Sequence, residues 1–380
     1  MTRLGHSTTE RKTMSDWKAP HLCRAACAVA ALLLTVPANA QTGTSSAGSG
    51  PVSGQQPAAA ESAGPSRPHV YGFVQTHFRY AFATGQDGVV DASDFRVQRV
   101  RLGVRGDLRP WLSYEVEIDP RSPDIMGVLR DGFFALKVIP RHQIRVGQQK
   151  TQFGHENRES SSDLFVVNRA EVSDALSRGP NLRDVGIGLI GNLKLGKGWR
   201  FEDAVTVVNG DGMNVQADST RRKNVWGRAG VRYRKDRADL TVRVGMSGAS
   251  GDHIAEGADP LDPTDDFRET FSRLGTDVEI DHSRFLLTGE YVRGTNENTV
   301  TLETDDSSGY YVNLVAKTRW KLGPLVRVDS FADQFHRWTV GGYYGLPNTP
   351  FRVLVNYEVR DRKDSVRGDD KLYIWTQVRF

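Results

Sequence analysis

Apolar and polar residues alternate along most of this chain with the period of a β-strand. The stretch Phe95-Arg96-Val97-Gln98-Arg99-Val100-Arg101-Leu102-Gly103-Val104-Arg105 shows the pattern well. Successive strand side chains point to opposite sides. Val100, Leu102 and Val104 therefore share one face, and Arg99, Arg101 and Arg105 share the other. The next segment sets Leu112, Tyr114, Val116 and Ile118 against Ser113, Glu115, Glu117 and Asp119. Clusters of Gly, Pro, Asp and Asn separate such segments. The alternation predicts about sixteen strands, a count found in bacterial barrels. Their cores fall at 70–82, 94–106, 111–119, 130–139, 142–150, 183–194, 199–208, 226–235, 238–247, 271–281, 284–293, 309–321, 325–333, 336–344, 351–360 and 371–380.

The connections sort by length. Tight turns fall at Asp107 to Pro110, Pro140-Arg141, Leu195 to Gly198, Asp236-Arg237, His282-Ser283 and Leu322 to Pro324. Between them come long or polar stretches at 83–93, 120–129, 151–182, 209–225, 248–270, 294–308 and 361–370; only the connection near Gln334 is short where length is expected. Outer-membrane barrels have short turns on one side and long loops on the other, whereas a soluble sandwich has no reason to sort them. On the last strand Leu372, Ile374, Thr376, Val378 and Phe380 share a face. A terminal aromatic on such a strand resembles the C-terminal signal of bacterial outer-membrane proteins. Aromatics near strand ends (Tyr71, Phe73, Trp111, Trp199, Tyr310, Trp320, Trp338, Tyr343, Tyr344, Phe351 and Trp375) are expected to form girdles at the membrane interfaces. The fold expectation is an all-β, transmembrane antiparallel β-barrel in the outer membrane of a Gram-negative bacterium.

The organised region begins near His69. Residues 1–40 read as a secretory signal: an apolar run from Ala25 to Val36, basic Lys18 and Arg24 before it, and Ala38-Asn39-Ala40 at its end. The run falls short of the 20 or so residues a spanning helix needs. Met14 is an alternative start. Residues 41–68, rich in Ser, Gly, Ala and Pro, read as a disordered tether. Residues 69–380 form the barrel. Cys23 and Cys27 both lie in the signal, which excludes disulfides and cysteine-bound metal from the mature chain. The formal charge of +4 is also largely the signal's; without residues 1–40 there are 45 basic and 44 acidic residues. Any preference for anions must come from where the charges sit.

Between Asp94 and Gly191 the chain resembles the phosphate-selective porin O and P family. The matching pieces are Phe95 to Gly106, Tyr114-Glu115-Val116-Glu117-Ile118-Asp119, Leu129-Arg130-Asp131, Arg145 to Thr151 with Phe153-Gly154, and Arg183-Asp184-Val185-Gly186. Gln149 and Gln152 depart from the pattern, which has an aromatic and a proline there. The resemblance implies a sixteen-stranded barrel, a homotrimer and a lumen carrying a ladder of basic residues.

With apolar faces turned to lipid, the lumen receives Arg99, Arg101, Arg105, Arg145, Arg228, Arg232, Arg234, Arg243, Lys317 and Arg319 as an anion path. Arg273, Lys321, Arg327, Arg352 and Arg360 follow the same parity, as do the acids Asp239, Asp277, Glu279, Glu290, Asp329 and Glu358. Arginine at the lipid midplane costs about 2–4 kcal/mol, so so many charges require a wet interior. The segment Gly154 to Pro180 follows the fifth strand. Its apolar patch at Leu164, Phe165, Val166 and Val167 predicts that it folds into the barrel as a constriction loop, with Arg158 and Arg169 at the narrowing; the alternative is an outside loop packed on a neighbouring subunit.

The function expected is passive diffusion of small hydrophilic solutes, anionic ones above all, with phosphate or polyphosphate suspected. The partners are those solutes and outer-membrane lipid; nucleic acid, cofactors and metal are not called for. Asp259, Asp262, Asp265 and Asp266 suggest calcium, but their spacing matches no EF-hand and prolines interrupt it. No Gly-rich phosphate loop or nucleophile elbow occurs. A non-selective porin, a plugged structural barrel and a barrel enzyme are the competing readings.

Overall fold

In a computed structural model the residues described are 66–82, 92–121, 128–176, 183–215, 218, 220, 222–255, 266–332, 335–362 and 370–380. The expected signal, the tether up to residue 65, and Asp259, Asp262 and Asp265 lie outside them. The strands are β1 (His69–Ala81), β2 (Ala92–Arg109), β3 (Leu112–Ile118), β4 (Leu129–Ile139), β5 (His142–Lys150), β6 (Arg183–Gly196), β7 (Trp199–Val208) and β8 (Asn224–Lys235). They continue as β9 (Leu240–Ala255), β10 (Phe267–His282), β11 (Phe285–Asn298), β12 (Thr304–Ala316), β13 (Leu322–Phe331), β14 (Phe335–Gly345), β15 (Phe351–Arg362) and β16 (Lys371–Arg379). Each pairs antiparallel with its sequence neighbours, and β1 pairs with β16, so the sheet closes into a barrel without an edge. At the seam the Gly72 N–H donates to the Phe380 carbonyl and the Phe380 N–H to the Gly72 carbonyl, at 3.0 and 3.1 Å.

The outer face is apolar. Val70, Leu102, Phe134, Ile187, Val244 and Ile374 all stand exposed there. In water such a belt would favour aggregation; in a bilayer it faces hydrocarbon. No described helix is long and apolar enough to cross a membrane, and crossing is by strands.

The structure departs from the alternation in informative places. A bulge shifts the register between Gln75 paired with Arg99 and Thr76 paired with Val97. The extra residue, Gln98, moves Phe95 and Val97 to the outer face and keeps Arg99 inside. Strand β12 ends at Ala316, not 321. Lys317 and Arg319 therefore lie in the turn to β13 and not on a strand wall. Lys317 pairs there with Asp281, and the exposed Arg319 stacks on Trp320. The turn wins because the Lys321 N–H bonds to the Thr318 carbonyl, closing it locally. Several stretches that read as loops are strand: β9 runs on to Ala255 and β11 to Asn298 as polar, paired extensions. Among the aromatics expected in girdles, Trp111, Trp199, Tyr310, Trp320, Trp338 and Tyr344 face outward. Tyr71, Phe73, Tyr343 and Trp375 turn inward instead, where Tyr71 bonds to Glu115 and Tyr343 and Trp375 cover apolar residues of the inserted segment.

Candidate functional site

After β5 the chain leaves the wall. Residues 151–176 make polar contacts with strands all around the ring. The Gln152 N–H donates to Thr206 Oγ1 on β7 at 3.3 Å, and the Gly154 N–H to Ser247 Oγ on β9 at 3.0 Å. The Val167 N–H donates to Asn356 Oδ1 on β15 at 2.9 Å. Gln75 on β1 and Gln377 on β16 donate to the carbonyls of Ser161 and Ser162, at 3.1 and 3.2 Å. Inward side chains from opposite sides of a closed ring meet only in its interior, so the segment lies within the barrel.

An apolar seat receives it. Phe153, Ala170, Val172 and Leu176 pack on Val208, Trp226, Phe271, Val292 and Tyr311 of the inner wall. Val172 and Leu176 belong to a short helix, α1 (Glu171–Leu176). Val167 packs on Leu354, Tyr373 and Trp375, and Val166 on Val315 and Leu325. The inner face of the β7–β16 arc is thus partly apolar because it meets the segment and not water.

Charge completes the docking. The Glu156 carboxylate accepts from Arg327 Nη1 and from the Ala170 N–H, both at 2.8 Å. Burial disfavours its charged form, but the guanidiniums of Arg327 and Arg169 outweigh burial and hold it at about 2. Arg169 donates to the carbonyls of Glu156 and Glu159, so it fastens the segment to itself. Arg337 bridges Asp329 at 2.8 Å and the Arg169 carbonyl. Arg273 donates to the Leu176 carbonyl at 2.9 Å. Glu290 accepts from the backbone of His155 and Glu156 at 3.2 and 3.1 Å. Gly154 makes this approach possible: its φ is +66°, and a Cβ there would lie 2.1 Å from Glu290 Oε1.

The opposite arc, β2 to β6, carries further cations, of which Lys150 also bonds to the segment. Asp119 is shared by Arg101, Arg121 and Arg130 at 3.7, 3.8 and 3.6 Å. Glu117 is shared by Arg101 at 3.9 Å and Arg183 at 3.5 Å, and Arg183 also grips Asp131 at 2.7 Å. Contacts beyond 3.5 Å leave room for bridging water. Arg99, Arg145 and Lys150 have no carboxylate within ion-pair distance among the described residues. Arg99 donates to Gln75 at 3.2 Å, Arg145 lies over the Phe133 ring, and Lys150 donates to the carbonyls of Arg158 and Glu159 at 3.3 and 2.8 Å. Arg99 lies within electrostatic reach of Arg101, Arg121 and Arg169.

A model of the phosphate-selective porin O and P family matches residues 70–372. The chain belongs to that family. It is an outer-membrane channel of a Gram-negative bacterium. No curated protein matches it. Among solved structures the porin resembles OmpT of Vibrio cholerae in its trimer form, with 12% identity, a TM-score of 0.55, and coverage of 84% of this chain and 100% of that one. It also resembles the outer-membrane channel DcaP of Acinetobacter baumannii, with 13% identity, a TM-score of 0.55, and 83% and 98% of the two chains covered. Salmonella typhi OmpF, in complex with daunomycin, gives 14% identity, a TM-score of 0.55, and coverage of 82% and 97%. At such identities the likeness is one of fold.

The sequence-predicted lumen residues of the porin divide into groups. Arg99, Arg101 and Arg145 line the β2–β6 arc, and Arg105 lies over Tyr71 toward a tight turn. Arg228, Arg232 and Arg243 are held by Asp277, Glu202 and Glu279. Arg234 pairs with Asp236 in the exposed turn beyond β8. Arg158 is half-buried on the segment and donates to Gln152 at 3.1 Å, while Arg169 is buried in the docking contacts. Lys150, Arg183 and Arg337 are absent from the sequence-based set. Parity with the outward Trp338 would have found Arg337. Lys150 and Arg183 flank the insertion, where strand parity stops being a guide.

Proposed function

We propose that this porin is a passive channel with a preference for small anions, phosphate among them, and that it is not an enzyme. The observation that carries this reading is the β2–β6 arc, where Arg99, Arg145 and Lys150 have no carboxylate within ion-pair distance among the described residues. A row of fixed cations in a wet lumen lowers the cost of dehydrating an anion and raises it for a cation. Arg suits the task because its planar donors hold phosphate without losing charge. The inserted segment, seated on the other arc, narrows the path and leaves the cationic arc as its wall. A homotrimer in outer-membrane lipid is the assembly proposed, in line with the trimer form of OmpT, and residues 1–40 act as a cleaved export signal.

A non-selective channel is the second reading, favoured by the many arginines already paired, such as Arg228 with Asp277 and Arg337 with Asp329. The reversal potential of the purified protein in a planar bilayer under a potassium chloride gradient separates the two. A chloride-selective potential, with current blocked by added phosphate, supports an anion path with a phosphate site. Chloride selectivity without block leaves a general anion porin. A cation-selective or unselective potential overturns the anion path.

A further inference from the structure

His155 and Glu159 lie where the inserted segment begins, and Glu279 lies opposite them on the inner face of β10. One ligand atom from each lies within 4.8 Å of the other two. His155 Nε2 stands 3.6 Å from Glu279 Oε2, longer than a hydrogen bond. The ring is 8% exposed and makes no hydrogen bond among the described residues. The Glu159 carboxylate accepts none there either, since Lys150 and Arg169 bond to its backbone carbonyl. Buried polar groups are normally satisfied, so the buried ring lacks its usual partner, and the half-buried Glu159 carboxylate stands beside it.

A metal ion fits that description. Bonds of about 2.0–2.2 Å place tetrahedral ligands roughly 3.3–3.5 Å apart, so the imidazole and Glu279 already stand near coordinating separation. Glu159 closes the remaining distance by side-chain rotation. Arg243 holds the other oxygen of Glu279, Oε1, and so orients it. The nearby Arg228 is occupied by Asp277 at 2.5 Å, and Arg158 donates to Gln152 at 3.1 Å. An imidazole with two carboxylates suits a first-row transition dication, whereas calcium and magnesium prefer all-oxygen cages.

We propose that His155, Glu159 and Glu279 form a site for a first-row transition dication that fastens the start of the inserted segment to β10. Two ligands come from the segment and one from the wall, so the bound ion acts as a removable clasp. The test is calorimetric titration of the tag-free, EDTA-stripped protein in detergent with zinc chloride, beside His155→Gln and Glu159→Gln. Glu159→Gln leaves every observed hydrogen bond in place and serves as the variant that keeps its fold. The expected result is one saturable zinc site per chain, weakened at least tenfold in both variants and insensitive to excess calcium. Zinc should also protect the bond after Arg158 from trypsin in the wild type alone. No saturable binding, or binding of equal strength in the Glu159→Gln protein, overturns the proposal.

Discussion

At the scale of single residues, the docking of the segment rests on a few positions where one atom decides. Gly154 is the sharpest. Its backbone is left-handed and the space beside it is filled by Glu290, so Gly154→Val adds strain and a clash together. Backbone strain of this kind costs about 1–3 kcal/mol. The variant should keep its barrel, since the contact lies off the strand ladders, but trypsin should cut it at Arg158 or Arg169 under conditions that spare the wild type. Glu156 supplies a pH dependence. Its folded carboxyl sits at about 2 against an ordinary 4.5. A depressed carboxyl stabilises above the unfolded value, and that stabilisation is lost as pH falls from 4.5 toward 2; the shift corresponds to roughly 3 kcal/mol. Asp174 runs the other way. Burial, joined by the like charge of Glu156, pushes it up to about 6, so docking gains a little as pH falls from 6 toward 3.8. Protease protection should therefore hold or rise slightly down to about pH 4.5 and then collapse. In Glu156→Gln the collapse should be absent, and the protection at neutral pH lower.

At the scale of elements, most strands are legible from the chain because period two is a local property. The pair β5 and β7 shows this: alternation alone places both to the residue. What escapes is whatever depends on a distant partner. The bulge at Gln98 is set by the match to β1, and no local pattern announces it. The inward Trp375 looks like a membrane-facing aromatic until the segment it covers is known to lie inside. The apolar patch at Leu164 to Val167 does point to burial, but it does not say against which wall. The seat also has a measurable weight. Removing a buried aromatic costs about 3–5 kcal/mol, and Trp226 packs edge-on against Phe153 with ring centres 5.6 Å apart. Trp226→Ala should release the segment while the barrel remains closed, read as trypsin cleavage within 158–169 together with an unchanged far-ultraviolet strand signal. Cleavage no faster than in the wild type would mean the seat is not what holds it.

At the scale of the whole molecule, the two arcs divide the charges into those that hold the segment and those left to face solutes. The division makes a prediction that neither arc makes alone. Arg327 pairs with Glu156 of the segment, and Arg337 holds both Asp329 and the Arg169 carbonyl, so removing Arg337 leaves Asp329 with the longer contacts to Arg327 at 3.6 Å and the Glu171 N–H at 3.3 Å and loosens the segment. Arg337→Ala should widen the path: single-channel conductance should rise, and the reversal potential should drift toward zero because a wider path filters less. Arg99 and Arg145 make no ion pair among the described residues; Arg99 donates to Gln75 and Arg145 lies over the Phe133 ring. Arg99→Gln with Arg145→Gln should leave protease protection nearly unchanged, shift the reversal potential away from chloride, and weaken any block by phosphate at least tenfold. Screening sharpens the comparison. At about 1 M salt the Debye length shrinks to about 3 Å, so the effect of the Arg99 and Arg145 changes should fade there while that of Arg337→Ala persists. If both variants lost selectivity and protection in parallel, the cations of the β2–β6 arc would be holding the segment as well, and an anion path would have to run elsewhere in the barrel.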